Sequence, residues 1–253
     1  MRLKDKIALV TGAASGIGEA IARRFAQEGA TVYVADVAQA AGERVAAEVG
    51  GHFLQLDVTV EADWSAAMQH IADRHQRLDA LVNNAAIISN ASIDSIDLQS
   101  WNRVLAVNLT GPMLGCRAAI AMMRRNATPG GSIVNLGSTT SFLGLPNDVI
   151  YTTTKTGVLG LTRSAAVQCA RQGWNIRINS LHPGTTDTAI LQGHIAQDPS
   201  MLGRFNAMSP MGRMAQPREI AALALFLVSD EASYCTGGAY TADGGLGATH
   251  PGM

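Results

Sequence analysis

Seven short apolar runs punctuate this 253-residue chain, at Ile7-Val10, Thr31-Ala35, His52-Leu56, Leu78-Val82, Ser132-Leu136, Ile176-Leu181 and Ala239-Thr241. Longer stretches of helical period separate them. Strands that alternate with helices do not pair as hairpins; they lie in parallel and send each crossover helix over a face of the sheet. The pattern predicts an α/β fold with a doubly wound, parallel, seven-stranded sheet and helices on both faces. With 47% hydrophobic and 15% charged residues, the chain can fill such a core as a single domain over residues 1–253.

The first run leads into Thr11-Gly12-Ala13-Ala14-Ser15-Gly16-Ile17-Gly18, and residues 19–28 then read as a helix stopped by Gly29. A glycine-rich turn from strand into helix lets a pyrophosphate approach the backbone and rest at the positive helix N-terminus, as in a Rossmann-type sheet. Gly12, Ser15, Gly16, Ile17 and Gly18 are therefore candidate dinucleotide contacts. Asp36 closes the second run about 20 residues on, where a carboxylate can accept hydrogen bonds from an adenosine ribose. An NADP 2′-phosphate there would set like charges together, costing on the order of 4 kcal/mol at about 4 Å before relaxation. Neither Ser15 nor Val37 is a cation that offsets this, so NAD(H) is expected over NADP(H). Asp57-Val58 ends the third run, suited to the adenine amino group and ring. Asn84 and Ala85, within Asn83-Asn84-Ala85-Ala86, end the fourth. Ordinary strand-end turn chemistry is the alternative at each of these.

Further along, Ser138 follows the fifth run, and Gly144 and Pro146 turn the chain back to a helix bearing Tyr151 and Lys155. Four residues apart, phenol and ammonium share a helix face. A free phenol titrates at about 10, and a nearby cation lowers that value by favouring the phenolate. The trio reads as acid–base chemistry, although a Tyr-x-x-x-Lys pair also occurs on solvated helix faces.

A formal net charge of −1 without a Lys/Arg block argues against nucleic-acid and anionic-membrane partners, leaving a small molecule. Cys116, Cys169 and Cys235 are widely spaced and fit reduced thiols. His52, His70 and His75 show no ligand spacing with carboxylates or cysteines, so no metal site is expected. The N-terminus lacks signal-peptide character and no uninterrupted apolar run approaches membrane-spanning length, which predicts a cytoplasmic protein.

Together, T-G-A-A-S-G-I-G, N-N-A-A, Val107-Asn108, Ser138, Y-T-T-T-K and Pro183-Gly184 resemble the short-chain dehydrogenase/reductase family, from about Lys6 to Gly247. The resemblance implies a homotetrameric oxidoreductase with a catalytic tetrad of Asn108, Ser138, Tyr151 and Lys155. Hydride would pass between nicotinamide C4 and a carbinol or carbonyl carbon. Ser138 would hold the substrate oxygen and Tyr151 would exchange the proton. Lys155 would lower the tyrosine pKa and bind the nicotinamide ribose, while Asn108 would hold a water linking Lys155 to solvent. Pro183, Gly184, Thr186 and Thr188 would surround the nicotinamide carboxamide. The family's usual Asn-Asn-Ala-Gly ends here in Ala86. His182, beside the cofactor by this alignment, is assigned a packing role.

Residues 189–214 read as an irregular stretch rich in flexible apolar side chains, among them Ile190, Leu191, Met201, Phe205 and Met208. In the family this region is a lid over the substrate, about 187–214, and methionines suit a surface that repacks around apolar ligands. An amphipathic helix pair packed on the core or on a neighbouring subunit is the competing reading. Phe142, Leu143, Leu145, Ile87 and Ile88 would form the opposite wall, with Arg204 or Arg213 the only candidate cations. These features, and a likeness to bacterial hydroxysteroid and alicyclic alcohol dehydrogenases, favour an apolar, cyclic secondary alcohol or ketone as substrate. The alternatives are an NADPH-dependent 3-oxoacyl-[acyl-carrier-protein] reductase and a non-catalytic nucleotide-sensing protein of the same fold.

Overall fold

In the computed structural model, residues 1–249 are described; the last four residues of the expected domain lie outside the described residues. Seven strands, β1 (Ile7–Thr11), β2 (Thr31–Asp36), β3 (His52–Gln55), β4 (Ala80–Asn83), β5 (Gly131–Leu136), β6 (Ile176–Pro183) and β7 (Ala239–Ala242), form one parallel sheet in the order β3-β2-β1-β4-β5-β6-β7. The chain winds outward from β1 to β3, then returns across β1 to continue through β4. This reversal opens a crevice beyond the C-terminal ends of β1 and β4, the switch point where open α/β sheets bind ligands.

Alternation along each strand feeds two cores. Ala8 and Val10 of β1, with Val32 and Val34 of β2, pack beneath α1 (Gly16–Gln27) and α9 (Pro217–Val228). Ile7 and Leu9, with Tyr33 and Ala35, face the other side, where Trp64 and Ile71 of α3 (Glu61–His75) meet Leu114 and Met123 of α5 (Gly111–Met123). With both faces covered, the strands need continuous apolar runs, which is why they read so plainly. The remaining helices are α2 (Gln39–Glu48), α4 (Leu98–Leu105), α6 (Val149–Arg171), α7 (Ala189–Gln197) and α8 (Met201–Ala207).

Two sequence expectations change. Residues 189–214 are not irregular: α7 and α8 occupy much of the segment. Helix α4 also continues through a π-turn, Ala106–Thr110, into α5, so Leu98–Met123 is one helix long and apolar enough to cross a membrane by length and composition. Its buried side chains, including Val104, Leu114, Ala119 and Met122, are taken up by the protein interior. The π-turn brings Ala106 and Val107 to the crevice and buries Asn108 behind them; such turns occur frequently at functional sites.

Candidate active site

The crevice deepens into a cavity of about 1030 Å³. Its floor is the turn from β1 into α1. Gly12 has φ of 61°, and a Cβ there would lie 2.7 Å from Ala85 Cα. A Cβ on Gly18 would lie 2.2 Å from the Gly12 carbonyl oxygen, so backbone meets backbone with no room for a methyl group. Asn84 braces the turn: its Nδ2 donates to the carbonyl oxygens of Thr11 at 2.9 Å and Gly12 at 3.0 Å. Both amide protons are therefore used on the turn. Ala86 lines the cavity and is not among the residues of positive φ, so alanine in place of the family's glycine strains nothing.

At the adenosine end, Asp36 accepts hydrogen bonds from Ala14 N at 3.0 Å and Ala38 N at 2.9 Å, which ties the turn to the tip of β2. It lines the cavity beside the exposed Val37. Asp57 Oδ1 accepts from the N–H and hydroxyl of Thr59, at 2.9 and 2.7 Å. Val58 is buried against Gly111, where a Cβ would approach its Cγ2 to 2.9 Å. Every sequence-predicted cofactor residue lines the cavity except Gly18, which serves the turn from beneath.

The other end holds Ser138, Tyr151 and Lys155. Ser138 follows β5, and its Oγ accepts from Thr140 N at 3.2 Å, capping a short 3-10 turn. Tyr151 and Lys155 project from the first two turns of α6. The buried Lys155 donates from Nζ to the Leu136 carbonyl at 2.8 Å and sits 5.5 Å from the centre of the Tyr151 ring. Burial lowers the Lys155 pKa to about 8. Burial also pushes the Tyr151 phenol up to about 12; Ser138 pulls against this and the negative charge of Asp148 adds to it. Burial is the largest influence on both groups, and it penalises the charged form of each.

Asn108 is fully buried and does not line the cavity. Its Oδ1 accepts from Ile87 N at 2.9 Å, while Nδ2 donates to Ile87 O at 2.8 Å and Thr154 Oγ1 at 3.3 Å. The side chain thus clamps the loop after β4 with both of its amide protons. His182 behaves as a packing residue: it is buried, with Nδ1 3.0 Å from the Ser138 carbonyl oxygen and Nε2 2.8 Å from Ser180 Oγ. Burial lowers its pKa, favouring the neutral ring.

Between the two ends the walls are apolar. Ile87, Ile88 and Leu145 line the cavity together with Ile190 and Leu191 of α7 and Phe205 of α8. Phe142 and Leu143 do not line the cavity; both are exposed, and the Phe142 ring stacks near His182 with centroids 4.7 Å apart. Neither Arg204 nor Arg213 lines it either, and Arg213 is paired with Glu219 at 2.7 Å. Besides Lys155, the lining carries a second cation, Arg103, which sequence reasoning missed because its approach depends on the turn of α4. Among the described residues no cluster of His, Cys, Asp and Glu is arranged to hold a metal ion.

A family model described as Enoyl-(Acyl carrier protein) reductase matches residues 12–247. The chain belongs to the short-chain dehydrogenase/reductase family. Among its relatives in that family, a 3-beta-hydroxysteroid dehydrogenase from Comamonas testosteroni is 38% identical over 97% of each chain. A cyclopentanol dehydrogenase from Comamonas sp. (strain NCIMB 9872) is 40% identical over 96% of this chain and 98% of the relative. An NADP-dependent (R)-specific alcohol dehydrogenase from Lentilactobacillus kefiri is 35% identical over 96% and 97%. A crystal structure described as ribose-5-phosphate isomerase from Brucella melitensis 16M superposes with a TM-score of 0.89 over 96% of this chain and 93% of that one, at 33% identity. Short-chain dehydrogenases bind a nicotinamide dinucleotide, and the donor set here fits one. Gly12 and Gly18 leave no room for a side chain, and two of the three Lys155 ammonium protons have no protein acceptor among the described residues. The cavity also spans the distance from Asp36 to Tyr151.

Proposed function

We propose that the protein interconverts an apolar, cyclic secondary alcohol and its ketone using NAD(H), with Tyr151 as acid and base. The observation that carries this reading is the continuity of one cavity, with Asp36 and the glycine turn at one end, Ser138, Tyr151 and Lys155 at the other, and apolar walls between. Gly12, Gly16 and Ile17 would hold the pyrophosphate at the N-terminus of α1, and Asp36 the adenosine ribose. When bound, the nicotinamide supplies or accepts the hydride at C4. Ser138 donates a hydrogen bond to the substrate oxygen and fixes it beside the phenol. Tyr151 takes the alcohol proton during oxidation and returns it during reduction, a role that contributes about 100- to 10,000-fold in enzymes generally. Lys155 holds ribose hydroxyls with the protons that Leu136 leaves free. Asp36 disfavours the 2′-phosphate of NADP by charge, and the hydroxysteroid and cyclopentanol relatives support a ring-shaped substrate. A cytoplasmic homotetramer belongs to the same proposal.

The carrier-protein reductase keeps one observation in its favour: Arg103 on the cavity lining offers a cation for an acyl-thioester's phosphopantetheine. Reduced-nicotinamide absorbance separates the two readings, using NAD⁺ or NADP⁺ with alicyclic and steroidal alcohols and a 3-hydroxyacyl thioester. Turnover with NAD⁺ and a cyclic alcohol is expected; activity confined to NADP⁺ and the thioester overturns the assignment. Tyr151→Phe is expected to lose at least about 100-fold in kcat with NADH affinity unchanged. Near-normal turnover in that variant removes the phenol from the mechanism.

A further inference from the structure

Asp148 is a buried carboxylate with no part in the mechanism above. It is the N-cap of α6, and its Oδ1 accepts from Tyr151 N at 3.1 Å. The hydroxyl of Ser89 donates to the same oxygen. Its Oδ2 accepts from the backbone amides of Ser89 at 2.9 Å and Asn90 at 3.1 Å. Two consecutive amides thus converge on one oxygen, and Asn90 itself has φ of 53°, in the left-handed region that asparagine tolerates. Next to this, Val149 N donates to the Ala91 carbonyl at 3.1 Å. The loop after β4 is therefore fastened to the first turn of the helix that carries Tyr151, and its other end is clamped at Ile87 by Asn108. Ile87, Ile88 and Asn90 line the cavity on that loop, as does Asp148 itself.

A helix N-terminus needs only a neutral Ser or Thr to accept the amide that Asp148 accepts. A carboxylate three residues before the phenol brings a negative charge as well. We propose that Asp148 is a positioning residue that locks the substrate wall 87–91 to the Tyr151 helix and, by its charge, holds the phenol in its protonated form.

This inference rests on Tyr151 being the acid and base. The other charged or titratable groups around the phenol are Lys155 on α6 and His182 on β6, with Arg103 on α4 and His194 on α7 further out on the cavity lining. A negative charge beside a phenol disfavours phenolate; burial is the largest cause of the raised Tyr151 value, and Asp148 adds to it. Protonated tyrosine is the form that gives a proton to a ketone, so Asp148 biases the site toward reduction at neutral pH. For oxidation, the phenolate must form first, and the rate rises with pH up to the tyrosine pKa.

The test compares pH profiles of kcat/KM for oxidation of a cyclic alcohol. Asp148→Asn and Asp148→Ser both remove the charge; serine keeps a cap for α6 but is too short to reach the loop amides. In both, the ascending limb is expected to move to lower pH by about 0.5 to 1 unit, which raises oxidation about three- to ten-fold at pH values below the limb. Asp148→Ser should also raise KM more than Asp148→Asn, because Ile87 and Ile88 lose their anchor. Asp148→Glu keeps the charge and should leave the limb in place while raising KM. Limbs that coincide with the wild type in both neutral variants overturn the proposal. Should Asp148→Asn fail to fold, Asp148→Ser carries the comparison through its native type of cap. Tyr151→Phe separates the two failures: full activity there sinks the acid–base reading, whereas an inactive Tyr151→Phe with unmoved Asp148 profiles sinks this inference alone.

Discussion

On one side of the cavity, Gly18 lies so close to the Gly12 carbonyl that a single methyl group would sit 2.2 Å from its oxygen. On the other, α7 and α8 contain no buried residue, and a Cβ on Gly193 or Gly203 would meet nothing within 4 Å. The same residue type thus marks opposite constructions. The floor is backbone packed on backbone and braced by Asn84, which suits a cofactor of fixed shape through preorganisation. The lid has few buried contacts, the condition under which segments open locally at low free energy. Its base is nevertheless fixed: Thr186 bridges Ala215, Asp187 N donates to Ala215 O at 2.8 Å, and Gln216 Nε2 reaches Asp187 Oδ2 at 3.2 Å. Fixed ends with an unburied middle are the construction that the proposed flap over the substrate would need.

The harshest way to probe this contrast is Gly18→Ala. The added methyl must push the turn away from β4, breaking the Asn84 brace, and overpacking of this kind costs about 1–3 kcal/mol. Because the displaced atoms form the pyrophosphate cradle, NADH affinity should fall by on the order of 100-fold, equivalent to about 2.7 kcal/mol. Fluorescence titration with NADH measures it; affinity within a factor of three of wild type would mean that the floor is not preorganised.

Asp36→Ala is a milder change on the same floor. It removes the carboxylate proposed to exclude a 2′-phosphate, yet it also releases Ala14 N from its 3.0 Å bond. The NADP⁺ to NAD⁺ ratio of kcat/KM should rise at least about tenfold, equivalent to 1.4 kcal/mol, with absolute activity reduced for both cofactors. An unchanged ratio would assign Asp36 to bracing the turn and leave cofactor choice to other groups.

The floor was far more legible in the sequence than the lid, and the same contrast accounts for it. Buried strands demand apolar runs and a close backbone approach demands glycine, so β1 and the turn after it announce themselves. Strand ends were less visible because neighbours set them: β6 reaches Pro183 since β7 lies beside it, pairing His182 with Thr241 and Pro183 with Ala242. In the lid, α7 buries no face, so no clean helical period is selected and the segment reads as irregular. Ser138, Tyr151 and Lys155 were legible through residue type and short spacing. The Asp148 network was not, because Ser89 and Asn90 lie 59 and 58 residues away along the chain. Likewise His52, His70 and His75, which show no ligand spacing in the sequence, converge on Tyr33 with ring centroids 4.9, 6.0 and 5.8 Å from it. Only the parallel pairing of Tyr33 with His52, and the packing of α3 over it, brings them together.

The smallest effect sharpens the contrast most, since it repeats the Gly18 substitution on the opposite wall. Gly203→Ala places its methyl group in open space within α8. Alanine favours helix over glycine by about 0.8–1.0 kcal/mol, so local helicity should rise and nothing should clash. Global unfolding should hardly register the change, because a lid that opens before the sheet unfolds contributes little to the global transition. The gain belongs to the closed flap instead: KM for a cyclic alcohol should fall by up to about fivefold, the factor that about 1 kcal/mol allows, and release of product should slow. NADH affinity should not move. Steady-state kinetics beside a thermal melt distinguishes the possibilities. A loss of NADH affinity comparable with that of Gly18→Ala would show that the lid is as tightly built as the floor, and that substrate adaptation must then come from the Ile87–Ile88 wall.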